Sequence, residues 1–398
     1  MSGQDDVAAV LPPPATAFWA DPRLRGSIFQ AVALGLVVWL FWTMATNAGE
    51  ALKRSGQATG WGFLWNTSGF DIGFKLMSYT ARDRHIDVLV VGLLNTLLIS
   101  GLGIVLATLL GFVIGIARLS QNLIVSRMAA VYVEFVRNVP LLLWILFLYL
   151  ALIPVLPPVK QALSVGDVAF LTNRGLYIPK LHWNEGAIWI VWAFLGAIAL
   201  AVATTVWARG RQTATGKRPP DLLIGFALVV ALPVAAFFAL SAPVSLEFPV
   251  LKGFNFAGGM SVLPELVALL FALTIYTAAY IGEIVRSGIE GVNKGQSEAA
   301  SALGLSRGQR LRLVVIPQAM RIIIPPLTSQ YLNLTKNSSL AAAIAFPDLV
   351  HVFAGTSLNQ TGQALEILAI TAAIYLTISL TVSAVMNLYN YATRLRER

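Results

Sequence analysis

Long apolar runs divide this chain, and they restrict its possible folds more than any other feature of the sequence. Of its 398 residues, 57% are hydrophobic and only 12% are charged, whereas an average soluble domain has about 25% charged residues. A helix of about 20 apolar residues crosses a bilayer with every backbone polar group bonded internally. The sequence therefore predicts an all-α polytopic membrane protein. We expect about eight transmembrane helices, over residues 28–46, 88–117, 129–153, 187–207, 221–241, 263–285, 322–346 and 364–390.

Composition excludes several classes of site. Cysteine is absent, so the chain has no disulfide and no thiolate metal site. The net charge is +9, but the basic residues crowd the ends of the apolar runs, which indicates membrane topology and not a nucleic-acid surface. His85, His182 and His351 lie in three separate segments without the spacing of metal ligands, so each is interpreted as a surface or interface residue and no metal site is expected.

The sequence also lacks an ATP-binding loop and a catalytic constellation. The nearest approach to a phosphate-binding loop runs from Gly210 to Gly216, Lys217 and Arg218; its glycines are one residue too far apart, and the final Ser or Thr is missing. We therefore expect no catalytic residues in this chain, and any energy from ATP must come through a partner subunit.

A polar segment, residues 295–317, separates the sixth and seventh apolar runs. Ser297 can cap a first short helix, Glu298 places a carboxylate in its first turn, and Gly304 can end it. Ser306 and Gln309 have the spacing of a capping box that begins a second helix. A capped helix with mostly small side chains suits a groove on another protein. The alternative is an ordinary cytoplasmic helix pair rich in Ala and Gly.

The spacing in this segment resembles the EAA loop of ABC-importer permeases. The matching residues are Glu298-Ala299-Ala300, Gly304, Val314 and Ile316-Pro317, with Val314 and Ile316 standing where Ile and Leu are usual. The resemblance implies a coupling helix that docks into a cleft of a cytoplasmic ATPase. The docking residues would be Glu298, Ala299, Ala300, Leu303 and Gly304.

Further motifs resemble the polar amino acid branch of these permeases, at residues 92–100, 134–142, 279–289 and 336–340. The resemblance implies a type I permease core, formed by residues 88–153 and 263–398. The remaining parts are an N-terminal tail over 1–27, a leading span and loop over 28–87, and an insertion with two extra spans over 154–262. This organisation resembles the larger permease subunit of the general L-amino acid transporters of Gram-negative bacteria.

The same resemblance implies the partners and the location. These are an ATPase dimer that carries ATP and magnesium, a second and different permease subunit, a periplasmic amino-acid-binding protein, and a polar L-amino acid as substrate. No cofactor is expected on this chain itself, and no nucleic acid. The chain would lie in the bacterial inner membrane, and with the EAA loop inside, alternation of the spans places both termini in the cytoplasm.

Lys336 is the most unusual side chain within an apolar run. A charge inside a bilayer costs about 2.5–3.5 kcal/mol on insertion scales, so Lys336 should face protein or a water-filled cavity. It would line the pathway together with Asn333, Asn337, Ser338 and Ser339 and meet a substrate carboxylate; alternatively, it pairs with an acid or a helix end to hold two spans together. Pro325 and Pro326 are expected to break this span.

Two pairs at i,i+3 spacing, Glu134 with Arg137 and Glu283 with Arg286, are interpreted as ion pairs at the cytoplasmic side. Asn95 and Thr96 are assigned to helix packing in preference to the pathway.

Two other functions remain as alternatives. An ion-coupled secondary carrier would need intramembrane carboxylates, and the spans offer few, namely Glu366 and the boundary residues Glu134 and Glu283. A membrane scaffold without transport would need neither Lys336 nor broken helices.

Overall fold

The computed structural model describes residues 22–54, 59–184, 186–216, 219–240 and 244–393. Most of the predicted N-terminal tail, up to residue 21, lies outside the described residues. So do Lys217 and Arg218, and the C-terminal segment from residue 394 onward, so the expected cytoplasmic location of both termini stays a prediction.

The described part of the chain is mostly helical. Its α-helices are α1 (Pro22–Arg54), α2 (His85–Arg118), α3 (Leu123–Arg137), α4 (Leu141–Val155), α5 (Ile188–Thr215), α6 (Asp221–Ala239), α7 (Pro264–Glu290), α8 (Lys294–Ala302), α9 (Arg307–Arg310), α10 (Ile316–Asn337), α11 (Leu358–Thr361) and α12 (Ala364–Thr393). Among these residues, six helices are long and apolar enough to cross a membrane, and a bent helix pair makes a seventh span. The eighth span was expected at residues 221–241, where α6 has a shorter apolar stretch.

The run at 129–153 is not one straight helix. It splits into α3 and α4, whose axes meet at 101°. The break falls at Asn138, Val139 and Pro140, and Pro140 directly precedes α4. Proline disfavours helical geometry in the residue before it and lacks the N–H needed to continue a helix, so the bend follows from the sequence.

The insertion contains strands that the sequence analysis did not predict. Strands β1 (Leu163–Val165), β2 (Ala169–Thr172), β3 (Gly175–Ile178) and β8 (Met260–Val262) form one antiparallel sheet in that order. The insertion also contains two separate antiparallel ribbons, which are β4 (Lys180–Trp183) with β5 (Val244–Glu247) and β6 (Val250–Lys252) with β7 (Asn255–Ala257). Because β8 pairs with β3, the sheet joins the beginning of the insertion to its end just before α7. Between them, α5 and α6 pack on each other as a helical hairpin.

Helix α7 lies at the centre of the core and packs against α2, α3, α4 and α10. Glycines bring α2 and α7 close together. A Cβ added at Gly111 would lie 2.5 Å from Cγ2 of Ile281, and one at Gly115 would lie 2.6 Å from Cβ of Val285. Such close backbone approach stabilises helix pairs in membranes through van der Waals packing.

Pro325 and Pro326 do not break their span, contrary to expectation, since α10 continues through both. Each proline removes one backbone donor, and the rest of the helix supplies its other bonds. Regular helix ends later, where Ser338–Ile344 forms a 3-10 turn and Ala345 has φ 57°. A π-helical turn follows at Val350–Ser357.

Candidate functional site

Helix α8 forms the first part of the segment that was predicted to dock. It begins one turn earlier than expected, because the side chain of Asn293 caps it by accepting from the N–H of Gly295 at 2.8 Å. Ser297 is therefore inside the helix and does not cap it. Its carbonyl oxygen accepts a hydrogen bond from the hydroxyl of Ser301 at 2.8 Å.

The C-terminal end of α8 is fixed by Gly304, as the sequence predicts. Gly304 has φ 76°, in the left-handed region. Its N–H donates to the carbonyl of Ser301 at 3.0 Å, and the N–H of Leu305 donates to the carbonyl of Ala300 at 3.2 Å. These two bonds form a Schellman motif, which satisfies carbonyls that the helix itself leaves without partners.

The second helix begins with the predicted capping box. The N–H of Ser306 donates to the side-chain oxygen of Gln309 at 3.0 Å, and the N–H of Gln309 donates to the Ser306 hydroxyl at 3.4 Å. From here α9, a π-helical turn at Leu311–Val315 and α10 run on directly. Two contacts tie α8 to this helix: Arg310 donates to the Ser301 hydroxyl, and Gln318 donates to Gln296 at 3.3 Å. The segment is thus braced against the span that it precedes.

The predicted docking residues differ in exposure. Ala300 is buried, whereas Glu298, Ala299 and Gly304 are exposed. Leu303 is 81% exposed, although it is the largest apolar side chain of the five. Underneath, Val292 and Val315 join the buried cluster around α7 and α10 and anchor both sides of the segment. The outer surface of α8 therefore consists of small side chains around one solvent-exposed leucine.

One of the two predicted ion pairs is formed. Glu283 contacts Arg286 at 2.5 Å, and the same carboxylate contacts Arg118 at the end of α2. Arg286 also contacts Glu290. This cluster joins α2 to α7 beside the segment that carries α8.

The predicted pair of Glu134 and Arg137 is not formed, although both residues are described. The guanidinium of Arg137 instead lies 4.8 Å from the ring centroid of Tyr280, a cation–π contact. The reason is the end of α3 at Arg137, where the chain bends towards α4 and carries the side chain to α7.

The predicted pathway residues do not share one face. Asn333 and Lys336 are exposed on α10, and Asn337 and Ser339 are partly buried. Ser338 is buried and its hydroxyl donates to the carbonyl of Thr335 at 2.7 Å. A third exposed residue, Ser329, belongs to the same face as Asn333 and Lys336, since positions i, i+4 and i+7 of a helix align.

Several other polar residues serve packing. Asn95 is fully buried, and its amide donates to the carbonyls of Phe74 and Pro347 at 2.9 Å and 2.8 Å. Thr96 accepts from the N–H of Leu349 at 3.1 Å. The packing interpretation of both residues is confirmed. Glu366, named as a possible coupling carboxylate, accepts from the N–H of Gly60 at 2.6 Å and is buried.

The three histidines have different environments. His182 is exposed and contacts Glu247 at 2.7 Å, and His351 is partly buried. His85 is buried, contrary to the surface interpretation, and Nδ1 lies 2.9 Å from the Ser357 hydroxyl. It packs inside because the loop after α1 folds over the beginning of α2. Within the described ranges, no three His, Cys, Asp or Glu side chains form a group that could hold a metal ion.

Sequence reasoning missed Asp348, an acid that is only 1% exposed. Its one sequence signal is a lone charge between the apolar stretches that end at Phe346 and begin at Leu349.

Comparison with known proteins identifies the family. Residues 217–395 match the family described as binding-protein-dependent transport system inner membrane component. The chain is 48% identical over 384 residues to the putative amino-acid ABC transporter permease protein YhdX of Escherichia coli (strain K12), covering 96% of this chain and 97% of that protein.

Two further relatives also match over almost their full length. Identity is 46% to the general L-amino acid transport system permease protein AapQ of Rhizobium johnstonii, covering 95% of this chain and 94% of that protein. It is 40% to the glutamate/glutamine/aspartate/asparagine transport system permease protein BztB of Rhodobacter capsulatus, covering 95% and 96%. These relatives are transport components and not enzymes, and they support the permease interpretation over a secondary carrier. The chain belongs to the family of amino-acid ABC transporter permeases.

Proposed function

We propose that this chain is one of two different permease subunits of an importer that moves polar L-amino acids from periplasm to cytoplasm by alternating access. An ATPase dimer that binds ATP and magnesium would drive it, and a periplasmic amino-acid-binding protein would deliver the substrate. The names of AapQ and BztB, which refer to L-amino acids and to acidic amino acids and their amides, support this substrate class. The chain would lie in the bacterial inner membrane with both termini in the cytoplasm.

The observation that carries the coupling part is the exposed surface of α8. Leu303 is 81% exposed, and full burial of a leucine side chain contributes about 1.5–3 kcal/mol of free energy. This free energy would be gained if Leu303 entered a groove on the ATPase. The bonds from Arg310 to Ser301 and from Gln318 to Gln296 would pass a displacement of α8 to α10. Nucleotide state would thereby bias the balance between outward and inward conformations.

Substitution of Leu303 tests this coupling. Leu303→Asp should abolish co-purification of the ATPase, because a carboxylate cannot enter an apolar groove without losing its hydration. Leu303→Met, the matched control, retains size and apolarity and should retain the ATPase. Circular dichroism would verify that both variants stay folded. Full ATPase binding and uptake by Leu303→Asp would contradict the assignment of α8 as the docking helix.

The second part of the proposal concerns the polar face of α10. Ser329, Asn333 and Lys336 are exposed along one face of a span, where lipid would be an unfavourable neighbour. Among the described residues, the ammonium of Lys336 has no ion pair within 4 Å. We propose that this face lines the amino acid pathway, with Lys336 meeting a substrate carboxylate.

Lys336→Met and Lys336→Arg test the pathway role against subunit pairing. In the pathway role, Lys336→Met assembles with all partners but loses uptake by at least tenfold, and Lys336→Arg retains part of it because the charge remains. Lys336→Met would instead prevent assembly if Lys336 paired with a second subunit. Normal uptake by an assembled Lys336→Met complex would contradict both roles.

A further inference from the structure

Asp348 lies in the irregular segment 345–357, between the 3-10 turn and the π-helical turn. It is 1% exposed. Its Oδ1 accepts from the N–H of His351 at 2.8 Å. Oδ2 is buried and has no hydrogen-bond partner among the described residues. The backbone N–H groups of Val350 and of Asp348 itself also approach the carboxyl group, so Oδ2 is the one atom of this group that the described hydrogen bonds leave without a partner.

Two hydrogen bonds connect helix α2 to this segment. The amide nitrogen of Asn95 donates to the carbonyl of Pro347, and the hydroxyl of Thr96 accepts from the N–H of Leu349. These two bonds bracket Asp348. Asn95 is itself fully buried, and its Oδ1 also lacks a partner within the described part of the chain. Two unpartnered oxygens thus belong to residues that are linked through the Pro347 carbonyl. The hydroxyl of Tyr375 on α12, close enough to Asp348 and Thr96 to interact with both, also lacks a partner among the described residues.

The charge balance of this cluster favours a neutral carboxyl group. Within the described residues, no lysine or arginine forms an ion pair with Asp348, and an isolated buried carboxylate is strongly destabilised. A protonated carboxyl supplies the donor that the Asn95 oxygen lacks. One proton therefore removes the buried charge and can satisfy both oxygens, in line with the rule that buried polar atoms have partners.

We propose that Asp348 is a proton-binding site, and that its protonated Oδ2 donates to the amide oxygen of Asn95 while the segment 345–357 is packed against α2. Loss of the proton leaves a buried carboxylate facing an amide oxygen and so loosens this packing. A cavity of about 350 Å³, lined in part by Ala345, Pro347, His351 and Val352, lies beside the segment and gives it room to move.

Other titratable groups face the same region and must be separated from Asp348. They are His351 on the same segment, Asp71 and Glu265 on the cavity wall, and Tyr375 on α12. Helix α2 contributes the neutral Asn95 and Thr96 together with His85, whose Nδ1 lies 2.9 Å from the Ser357 hydroxyl. Helix α12 also contributes the buried Glu366. Burial lowers the pKa of His351, and a hydrogen bond from Lys75 lowers the pKa of Asp71. Because His351 can change charge within the pH range in which Asp348 affects stability, the effect of Asp348 is isolated by comparing the wild type with Asp348→Asn.

The direction of the pH dependence follows from burial. Burial raises the pKa of Asp348 from 3.8 to about 7. The folded state therefore binds this proton more tightly than the unfolded state. The contribution to stability is fully present below a pH of about 4, falls as the pH rises towards about 7, and is constant above that.

Thermal unfolding of the purified complex between pH 4 and pH 8.5 tests the proposal, with the wild type compared with Asp348→Asn. Asparagine keeps a neutral donor at Oδ2. Relative to Asp348→Asn, the unfolding equilibrium constant of the wild type should rise by up to tenfold per pH unit between about pH 4 and pH 7. Asp167→Asn, an exposed acid in the insertion, serves as the matched control and should keep the wild-type profile.

Infrared difference spectra between pH 5 and pH 8 provide a second readout, in which the spectrum of the wild type alone can contradict the proposal. A protonated-carboxyl band that is present at pH 5 and lost at pH 8, and that is missing in Asp348→Asn, would support the proposal. Identical pH profiles of wild type and Asp348→Asn would overturn it. So would a wild-type spectrum in which no buried carboxyl changes protonation.

Discussion

Substitution of Gly304 would separate the backbone geometry of the α8 segment from its steric fit to a partner. Gly304 has φ 76° and takes part in the two hydrogen bonds that end α8. A Cβ added there would meet no atom within 4 Å. Within this chain, the effect of an alanine must therefore arise from backbone conformation.

The magnitude follows from the cost of the left-handed conformation. That cost is about 1–2 kcal/mol for an ordinary L-residue, which reduces the population of the capped conformation by about 5–30-fold. Asparagine adopts this conformation more readily and ends helices in the same motif, so Gly304→Asn should cost less. Gly304→Val should cost most, since a β-branched residue is a genuine outlier there.

The assay is the number of ATP molecules hydrolysed per substrate molecule transported, measured on reconstituted complexes. We expect this number to be lowest for the wild type and to increase through Gly304→Asn and Gly304→Ala to Gly304→Val, as coupling weakens. Asparagine is larger than alanine, so if only steric fit to the partner mattered, Gly304→Asn would couple more weakly than Gly304→Ala. Near-wild-type coupling by Gly304→Ala together with poor coupling by Gly304→Asn would refute the backbone argument.

Two further predictions concern the core, and thermal unfolding checks both. Glu283→Gln should destabilise the chain by about 1–3 kcal/mol, because it leaves the guanidinium of Arg118, only 15% exposed, without its carboxylate. Glu134→Gln should stay within about 0.5 kcal/mol of the wild type, and an equal loss in both would contradict the ion-pair assignment. Gly288→Ala should cost about 1–3 kcal/mol by overpacking, since its Cβ would lie 2.3 Å from Cγ1 of Ile323. Adding Ile323→Ala, which removes Cγ1, should make the double variant less destabilised than the sum of the two single losses, and strict additivity would contradict the contact.

The sequence predicted the features that depend on long apolar runs or on helix caps formed by residues close together in the chain. Apolar runs of about 20 residues located most of the spans because a helix must be both long enough and apolar enough to cross a bilayer. The Ser306 capping box and the glycine at 304 were found because each depends on residues three or four apart. The first cap was misplaced by one turn, because Asn293 and Ser297 are both good capping residues and their sequence does not rank them.

Features that depend on contacts between residues far apart in the sequence could not be predicted from it. The strands of the insertion have only three or four residues each, too few to establish an alternating pattern. The pair of Glu134 and Arg137 had suitable spacing, but Tyr280 on α7 competes for the guanidinium. The buried state of Asp348 depends on Asn95 and Thr96, which precede it by about 250 residues.

The most direct test of the account is purification of this chain from its native membrane in mild detergent, with its partners identified by mass spectrometry. We expect an ATPase and a second permease to accompany the wild type and Leu303→Met, and the ATPase to be missing with Leu303→Asp. Recovery of the chain alone, still accumulating amino acids in vesicles that contain an ion gradient and no ATP, would contradict the account.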